Sequence, residues 1–130
     1  MYKYVILLVF IVVLIYLKNI FKKVKHPNVK NINAEEAKRL LEDNKQVFVL
    51  DVRTKEEYLR GHIEKAKLIS VSELDHRVNI IKNYKNKPVL VYCASGGRSP
   101  RAVKVLLDND FTEIYHLYKG LNSWKYTKVK

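Results

Sequence analysis

An uninterrupted apolar run near the N-terminus is the feature that most limits what this chain can fold into. Residues 4–17 are YVILLVFIVVLIYL. A run of 14 residues is short for a membrane span and has the length of a signal-peptide core. Extended from Tyr2 to Phe21, the segment has 20 residues, and a helix of that length, about 30 Å, matches the hydrocarbon thickness of a bilayer.

Three interpretations of this run compete. A cleaved signal peptide needs small residues at its cleavage site, and the sequence that follows, LKNIFKKVKH, has none. A buried core helix in so small a protein would not be apolar on every side. A transmembrane anchor over residues 1–21 therefore fits best. Its flanking lysines and its tyrosines suit the two membrane interfaces, and they are Lys3, Lys18, Tyr2, Tyr4 and Tyr16.

The lysines on either side of the run predict its orientation. Lys18, Lys22, Lys23 and Lys25 follow the run, and Lys3 precedes it. Because basic residues favour the cytoplasmic side, we expect a single-pass protein of the cell membrane with its C-terminal part in the cytoplasm. Residues 22–28 form a basic linker, and residues 29–130 form the domain.

Charge and cysteine content narrow the possible partners. The chain has a net charge of +12, and residues 31–130 hold 19 basic and 13 acidic residues. No arginine-rich arm or nucleic-acid motif is present, so a solvated basic surface is favoured over nucleic-acid binding. One cysteine excludes an intramolecular disulfide and a cysteine zinc cage. We expect no metal and no organic cofactor.

Helix-start signals alternate with short apolar strands after residue 33. Asn33 with Glu36 and Thr54 with Glu57 have the spacing of capping boxes, and Ser99-Pro100 places an N-cap before a proline at the first helical position. Strands are expected at 46–50, 68–69, 88–92 and 113–117, a third helix after 72, and a last helical turn at 121–125. This alternation predicts an α/β domain with a mainly parallel sheet flanked by helices.

Chemistry is expected at the carboxyl ends of such strands, where VLVY is followed by Cys93. Gly96 and Gly97 would let loop N–H groups converge on one point, the next helix would add its positive end, and Arg98 would add a full charge. A thiol in that position should have a lowered pKa and act as a nucleophile. The alternative is a buried structural cysteine.

Together with motifs elsewhere in the chain, this loop resembles a single rhodanese domain from about residue 29 to 126. The matching segments occur in the family's order, and they are Asp51-Val52-Arg53, Glu56-Glu57-Tyr58, Gly61-His62-Ile63, Cys93-x-x-Gly96-x-Arg98-Ser99, and Gly120 four residues before Trp124.

The resemblance implies the rhodanese α/β fold and sulfurtransferase activity. Cys93 would be the catalytic residue, which accepts a sulfane sulfur as a persulfide and passes it to a thiol or cyanide. The loop would bind the substrate through Ala94, Ser95, Gly96, Gly97, Arg98 and Ser99. Asp51, Arg53 and His62 would support the fold and the loop. The partners would be a small sulfur-containing donor and a thiol acceptor, and either could be a protein.

The chain departs from the family pattern at two turns. Lys65 stands where a glycine often precedes the alanine, here Ala66, and Lys119 stands where a second glycine often precedes Gly120. Both positions lie outside the loop, so they affect local turns rather than the chemistry. Tyr58 and Trp124 are interpreted as packing residues.

Two other functions remain open from the sequence. Cysteine phosphatases have five residues between cysteine and arginine, whereas four separate Cys93 from Arg98, and the shorter ring suits a persulfide better than a phosphorylated side chain. A non-catalytic docking or regulatory module at the membrane is the other alternative. The presence of Cys93 in an intact loop argues against an idle domain.

Overall fold

The computed structural model describes residues 1–130, the side chain of Phe21 excepted. The helices are α1 (Tyr2–Lys22), α2 (Ala34–Asp43), α3 (Lys55–Arg60), α4 (Val71–Arg77) and α5 (Ser99–Asp108). The strands are β1 (Val29–Ile32), β2 (Phe48–Asp51), β3 (Lys67–Leu68), β4 (Val89–Tyr92) and β5 (Ile114–Leu117). Two 3₁₀ helices occupy Val78–Tyr84 and Leu121–Ser123.

The five strands form one sheet in the order β1-β5-β4-β2-β3, and all of its strand pairs are parallel. Every residue of β2 and β4 is buried, as expected of apolar strands covered on both faces. Asp51 pairs with Tyr92 at the carboxyl ends of these strands. The predicted α/β fold is confirmed, and its sheet places Cys93 at that edge.

Apolar residues pack on both faces of the sheet. One core includes Leu50, Val91, Val103, Leu106 and Phe111. The other includes Val49, Leu90, Tyr92, Leu117 and Trp124. Successive residues of a strand point to opposite faces, so β2 and β4 each contribute to both cores.

The two predicted capping boxes are confirmed. The Asn33 side chain accepts from the backbone N–H of Glu36 at 2.8 Å, and the Glu36 carboxylate accepts from the N–H of Asn33 at 3.1 Å. Thr54 and Glu57 make the same reciprocal pair at the start of α3. Each box joins residues three positions apart, so these contacts are local to the helix starts.

The segment between α1 and β1 contacts the domain before residue 29. Both backbone polar groups of Val24 bond to the Asn31 side chain, with its N–H donating to Oδ1 at 2.9 Å and its carbonyl accepting from Nδ2 at 2.8 Å. Val24 also packs against the core, and Lys23 places its ammonium 4.9 Å from the centroid of the Tyr118 ring. Only Lys23 separates α1 from Val24, so the helix end is held close to the sheet.

From Tyr2 to Ile20, helix α1 leaves its apolar side chains exposed. Among the described residues, Tyr2–Ile20 is long and apolar enough to cross a membrane, and none of it is buried against the domain. A signal sequence near the N-terminus can meet the same criteria of length and composition.

Candidate active site

Cys93 follows β4 directly and is fully buried. Its sulfur accepts a hydrogen bond from the backbone N–H of Gly96 at 3.2 Å. Gly96 has a φ of +91°, and a Cβ at this position would collide with the Tyr118 carbonyl oxygen. A glycine is therefore required here both for the backbone conformation and for space.

Gly97 does not share this role. It has no positive φ, and a Cβ built on it meets no atom within 4 Å. The expectation that both glycines supply unusual dihedrals is thus correct for Gly96 and wrong for Gly97. The second glycine that the loop needs is Gly120, where φ is +72° and a Cβ would lie 2.6 Å from the Ser95 nitrogen.

The segment after β5 closes over the other side of the loop. The backbone N–H of Leu121 donates to the Cys93 carbonyl at 2.8 Å, and that of Asn122 donates to the Ala94 carbonyl at 2.9 Å. With these carbonyls bonded outward, the N–H of Gly96 points at the sulfur. The loop is therefore shaped by backbone contacts rather than by its own small side chains.

The loop makes the Cys93 thiol more acidic than an ordinary cysteine. Burial is the largest single influence and raises its pKa. Hydrogen bonds from the Ser99 side chain and from the backbone N–H groups of Arg98, Ser99 and Gly96 outweigh it, so the pKa is lowered overall. Donors aimed at one sulfur favour its anionic form.

Ser99 is the first residue of helix α5 rather than its N-cap. Helix α5 begins at Ser99 itself, Arg98 occupies the N-cap position, and no side chain caps the helix. The expectation of a Ser99 N-cap is therefore wrong. The hydroxyl instead faces the interior, 3.4 Å from the Cys93 sulfur and 2.7 Å from Nε2 of His116.

His116 and Asn31 extend this contact away from the loop, and sequence reasoning missed both. His116 is fully buried in β5, and its Nδ1 lies 3.0 Å from Oδ1 of Asn31 in β1. Burial lowers the pKa of His116 to about 4. The available signal was a polar residue inside an apolar strand, which in a doubly covered sheet must find a buried partner.

Arg98 does not present a free charge to the loop. Its guanidinium donates to both carboxylate oxygens of Glu57, at 2.7 and 2.9 Å. The bond to Arg98 is the largest cause that lowers the pKa of Glu57, to about 2. What Arg98 gives to Cys93 directly is its backbone N–H. The sequence marks Glu57 as part of a helix cap and of a family motif, but it does not indicate the contact with Arg98.

Asp51, Arg53 and His62 lie behind the loop. The buried Arg53 guanidinium donates to Asp51 at 2.7 Å and to the Gly61 carbonyl at 2.7 Å. The His62 ring stacks on Tyr58 with centroids 3.7 Å apart, and its Nδ1 lies 2.9 Å from the Tyr58 carbonyl. These contacts join the end of β2 to α3.

Two openings flank the loop. A groove of about 630 Å³ separates Gly96, Gly97 and Pro100 from the last turns of α1, which contribute Leu14, Leu17, Lys18 and Lys22. A cleft of about 240 Å³ lies beside Ala94 and is lined in part by Arg53, Arg60 and Lys128. Each opening carries basic side chains next to the loop.

Comparison with known proteins identifies the domain. The family pattern described as Rhodanese-like domain matches residues 33–127. The chain belongs to this family. A thiosulfate sulfurtransferase GlpE of Coxiella burnetii is 34% identical over 96 residues, which cover 74% of this chain and 87% of that relative. This similarity supports sulfurtransferase activity at the level of the rhodanese family.

Other relatives are matched over less of their length. YqhL of Bacillus subtilis is 42% identical over 76 residues, or 58% of this chain and 59% of that protein. A tRNA uridine(34) hydroxylase of Buchnera aphidicola is 35% identical over 94 residues, and this chain spans only 29% of its length. Among solved structures, a rhodanese-like domain protein from Staphylococcus aureus aligns with a TM-score of 0.66 and 34% identity, covering 73% of this chain and 90% of that one.

Proposed function

We propose that this rhodanese is a membrane-anchored sulfurtransferase that carries a sulfane sulfur on Cys93. The observation that supports this most is the Cys93 sulfur itself, buried at a strand end, with loop N–H groups and a hydroxyl that lower its pKa. The thiolate is the form of cysteine that attacks sulfur, and a lowered pKa increases the fraction of thiolate at neutral pH.

The proposed reaction has two steps. The Cys93 thiolate attacks the outer sulfur of thiosulfate or of a persulfide donor, the sulfur–sulfur bond of the donor breaks, and sulfite or a thiolate leaves with the bonding electrons. Cys93 then carries the transferred sulfur as a persulfide anion. A thiol or cyanide takes that outer sulfur, the bond to Cys93 breaks, and the Cys93 thiolate is regenerated.

The loop would act mainly in holding the charge of the persulfide. Its glycine at 96 leaves an N–H directed at the sulfur, and preorganised donors in a site shielded from water stabilise developing negative charge. The basic side chains at both openings, Lys22 on one side and Arg60 and Lys128 on the other, would favour anionic donors. Four residues between Cys93 and Arg98 leave less room than a phosphate ester needs.

Intact mass of the full chain in detergent tests the persulfide. Cys93 is the only cysteine, so an added sulfur has a single thiol to occupy. After exposure to thiosulfate or a small persulfide we expect a gain of one sulfur atom, reversal by excess thiol or cyanide, and no gain in Cys93→Ser. A folded protein whose Cys93 is alkylated but gains no sulfur from either donor would overturn the proposal in favour of a docking module.

The anchor is a separate part of the proposal. It rests on the exposed apolar surface of α1, which water disfavours and a bilayer would cover. Lysines at 18, 22, 23 and 25 support a cytoplasmic side for the domain, because basic residues favour that side.

Mass and labelling in cells test the anchor and its orientation. The purified membrane form should retain residues 1–21, whereas a cleaved signal would remove them. For orientation, Ser72→Cys in a Cys93→Ser background places one thiol at an exposed position of α4. An impermeant thiol reagent should label it in broken cells but not in intact ones, and labelling in intact cells would reverse the orientation.

A further inference from the structure

A chain of polar groups, fully buried at its Cys93 end and part-buried at Asn31, leads from Cys93 to the segment beside α1. The thiol lies 3.4 Å from the Ser99 hydroxyl, which lies 2.7 Å from Nε2 of His116. Nδ1 of His116 lies 3.0 Å from Oδ1 of Asn31. Asn31 in turn holds both backbone groups of Val24. Ser99 and His116 are both fully buried, so solvent does not compete for these contacts.

The far end of the chain decides where its hydrogens lie. Val24 donates to Oδ1 of Asn31 and accepts from Nδ2, and exchanging the two amide atoms would oppose donor to donor. Oδ1 is therefore an acceptor, and Nδ1 of His116 must donate to it. Burial keeps the imidazole neutral by lowering its pKa to about 4. Nε2 of His116 is then an acceptor, and the Ser99 hydroxyl donates to it.

This arrangement creates a competition for one hydrogen. The Ser99 hydroxyl has a single hydrogen. Neutral His116 and ionised Cys93 can each accept it, but not at the same time. In the resting thiol form, Cys93 donates to the Ser99 oxygen and no conflict arises. When the thiol loses its proton, the hydroxyl must leave His116 to stabilise the thiolate.

We propose that His116 is a positioning residue that sets the acidity of Cys93 by competing for the Ser99 hydroxyl hydrogen. The inference depends on the proposed function only to explain why the acidity of Cys93 would be limited. An attacking thiol works best with a pKa near ambient pH, because a stronger acid gives a weaker nucleophile. The loop N–H groups lower the pKa of Cys93, and His116 limits this decrease.

The other charged groups around Cys93 act from different elements. Arg98 on the loop is paired with Glu57 of α3, Asp51 at the end of β2 is paired with Arg53, and Lys22 of α1 lies over Gly96. On the side of His116, β1 presents the neutral Asn31 and α5 presents the neutral Ser99. Substitutions at His116 and Ser99 therefore leave the charged pairs in place.

The pH dependence of Cys93 alkylation in the full chain, solubilised in detergent, tests the proposal. Iodoacetamide reacts with the thiolate, so the midpoint of the rate profile reports the pKa of Cys93. Ser99→Ala removes the hydroxyl and should raise this pKa. His116→Leu removes the competing acceptor and should lower it. A pKa lower by about half a unit to one unit raises the rate below the midpoint roughly three- to tenfold.

A double variant separates competition from a general packing effect. With the hydroxyl absent in Ser99→Ala, the further change His116→Leu should leave the Cys93 profile unchanged. A similar shift with and without Ser99 would show that His116 acts without it, and a raised pKa in the single His116→Leu variant would show that His116 is a proton acceptor instead. Either result overturns the proposal.

Nitrogen NMR of histidine-labelled wild-type protein provides a check that needs no variant to fold. His116 should be neutral at pH 7 with its proton on Nδ1, and a proton on Nε2 would overturn the proposal. Neither measurement requires sulfur transfer. A protein that forms no persulfide but shows these shifts would refute the proposed function and leave the control of Cys93 acidity intact.

Discussion

Arg98 and Glu57 form a bidentate ion pair that joins the Cys93 loop to α3. The two guanidinium nitrogens lie 2.7 and 2.9 Å from the two carboxylate oxygens. Glu57 also closes the capping box with Thr54, so its carboxylate serves the helix start and the loop together. This geometry holds the Arg98 side chain in one position. Because the Glu57 carboxylate neutralises most of the guanidinium charge, the electrostatic effect of Arg98 on the Cys93 sulfur is small.

Removing the guanidinium should slow persulfide formation more than it weakens the fold. Arg98→Ala leaves the Glu57 carboxylate unpaired beside the loop, so we expect the Cys93 pKa to rise and persulfide formation at neutral pH to slow about three- to tenfold. The double variant Arg98→Ala/Glu57→Gln removes that carboxylate charge as well and should recover part of the rate. The rate of sulfur uptake by each variant can be measured by quenching the reaction at set times and recording intact mass. Equal losses of rate and thermal stability would make Arg98 structural.

The ion pair should also give the fold a pH dependence at acid pH. The pKa of Glu57 is lowered from 4.5 to about 2, so its stabilising effect is present above pH 4.5 and is lost as the pH falls towards 2. The side chains of Arg98 and Glu57 are 38% and 26% exposed, which limits the effect to about 1 kcal/mol.

Thermal unfolding of Glu57→Gln tests this dependence, because glutamine keeps the capping bonds without the charge. Fluorescence of Trp124, the only tryptophan, follows the transition. Wild type should be the more stable above pH 4.5, and the two should converge near pH 2. A gap that persists at pH 2 would mean that the charge is not its source.

Alanine at the two adjacent loop glycines should have opposite outcomes. Gly96→Ala forces a side chain into a left-handed backbone against the Tyr118 carbonyl, and we expect a loss of about 2–4 kcal/mol and of persulfide formation. Gly97→Ala points into open space and should change stability by less than about 0.5 kcal/mol. Thermal unfolding and sulfur uptake of the pair check this, and equal tolerance of both changes would contradict the loop geometry.

The parts of the fold that the sequence predicts are those that depend on neighbouring residues. The capping boxes of α2 and α3 need only residues three positions apart. The apolar runs VFVL and VLVY mark the positions of β2 and β4. The sequence does not predict strand β1, because Lys30 and Asn31 interrupt its apolar character. Its place at the sheet edge comes from pairing with β5, 85 residues away for Asn31 and His116.

The candidate site also has parts that the sequence predicts and parts that only the packing of the elements shows. Cys93 and its loop follow from the rule that sites lie at strand ends, together with the resemblance. The roles of Glu57, Ser99 and His116 depend on contacts between elements that are 17 to 41 residues apart. A pattern in the sequence shows which side chains can bond, but only the packing of α3, α5 and β5 shows which of them meet.

Lys65 occupies a turn position where the family often has glycine, and its φ of +69° is left-handed. A side chain is strained there, so Lys65→Gly should stabilise the protein by about 0.5–1 kcal/mol. Asp110, with a φ of +66° after α5, is a matched control, because aspartate tolerates this conformation better than lysine. Thermal unfolding should show a larger gain for Lys65→Gly than for Asp110→Gly, and the reverse order would contradict the strain argument.

The buried pair of Asp51 and Arg53 should matter far more to folding than any exposed ion pair. Their side chains are 0% and 7% exposed, so Asp51→Ala leaves a buried guanidinium without its carboxylate, although still bonded to the Gly61 carbonyl. We expect a loss of about 3–5 kcal/mol. The matched control is Glu35→Ala, which breaks the exposed pair with Arg39 and should cost less than about 0.5 kcal/mol.

Thermal unfolding of both variants compares the two pairs. The double change Asp51→Ala/Arg53→Met should recover part of the loss, because it removes the unpaired charge and fills the space with an apolar chain. If the double variant were as unstable as Asp51→Ala, the loss would come from the shape of the β2 end rather than from a buried charge. In that case Asp51 would support the loop through the hydrogen bond that its carboxylate accepts from the backbone N–H of Arg53, and not through the Arg53 guanidinium.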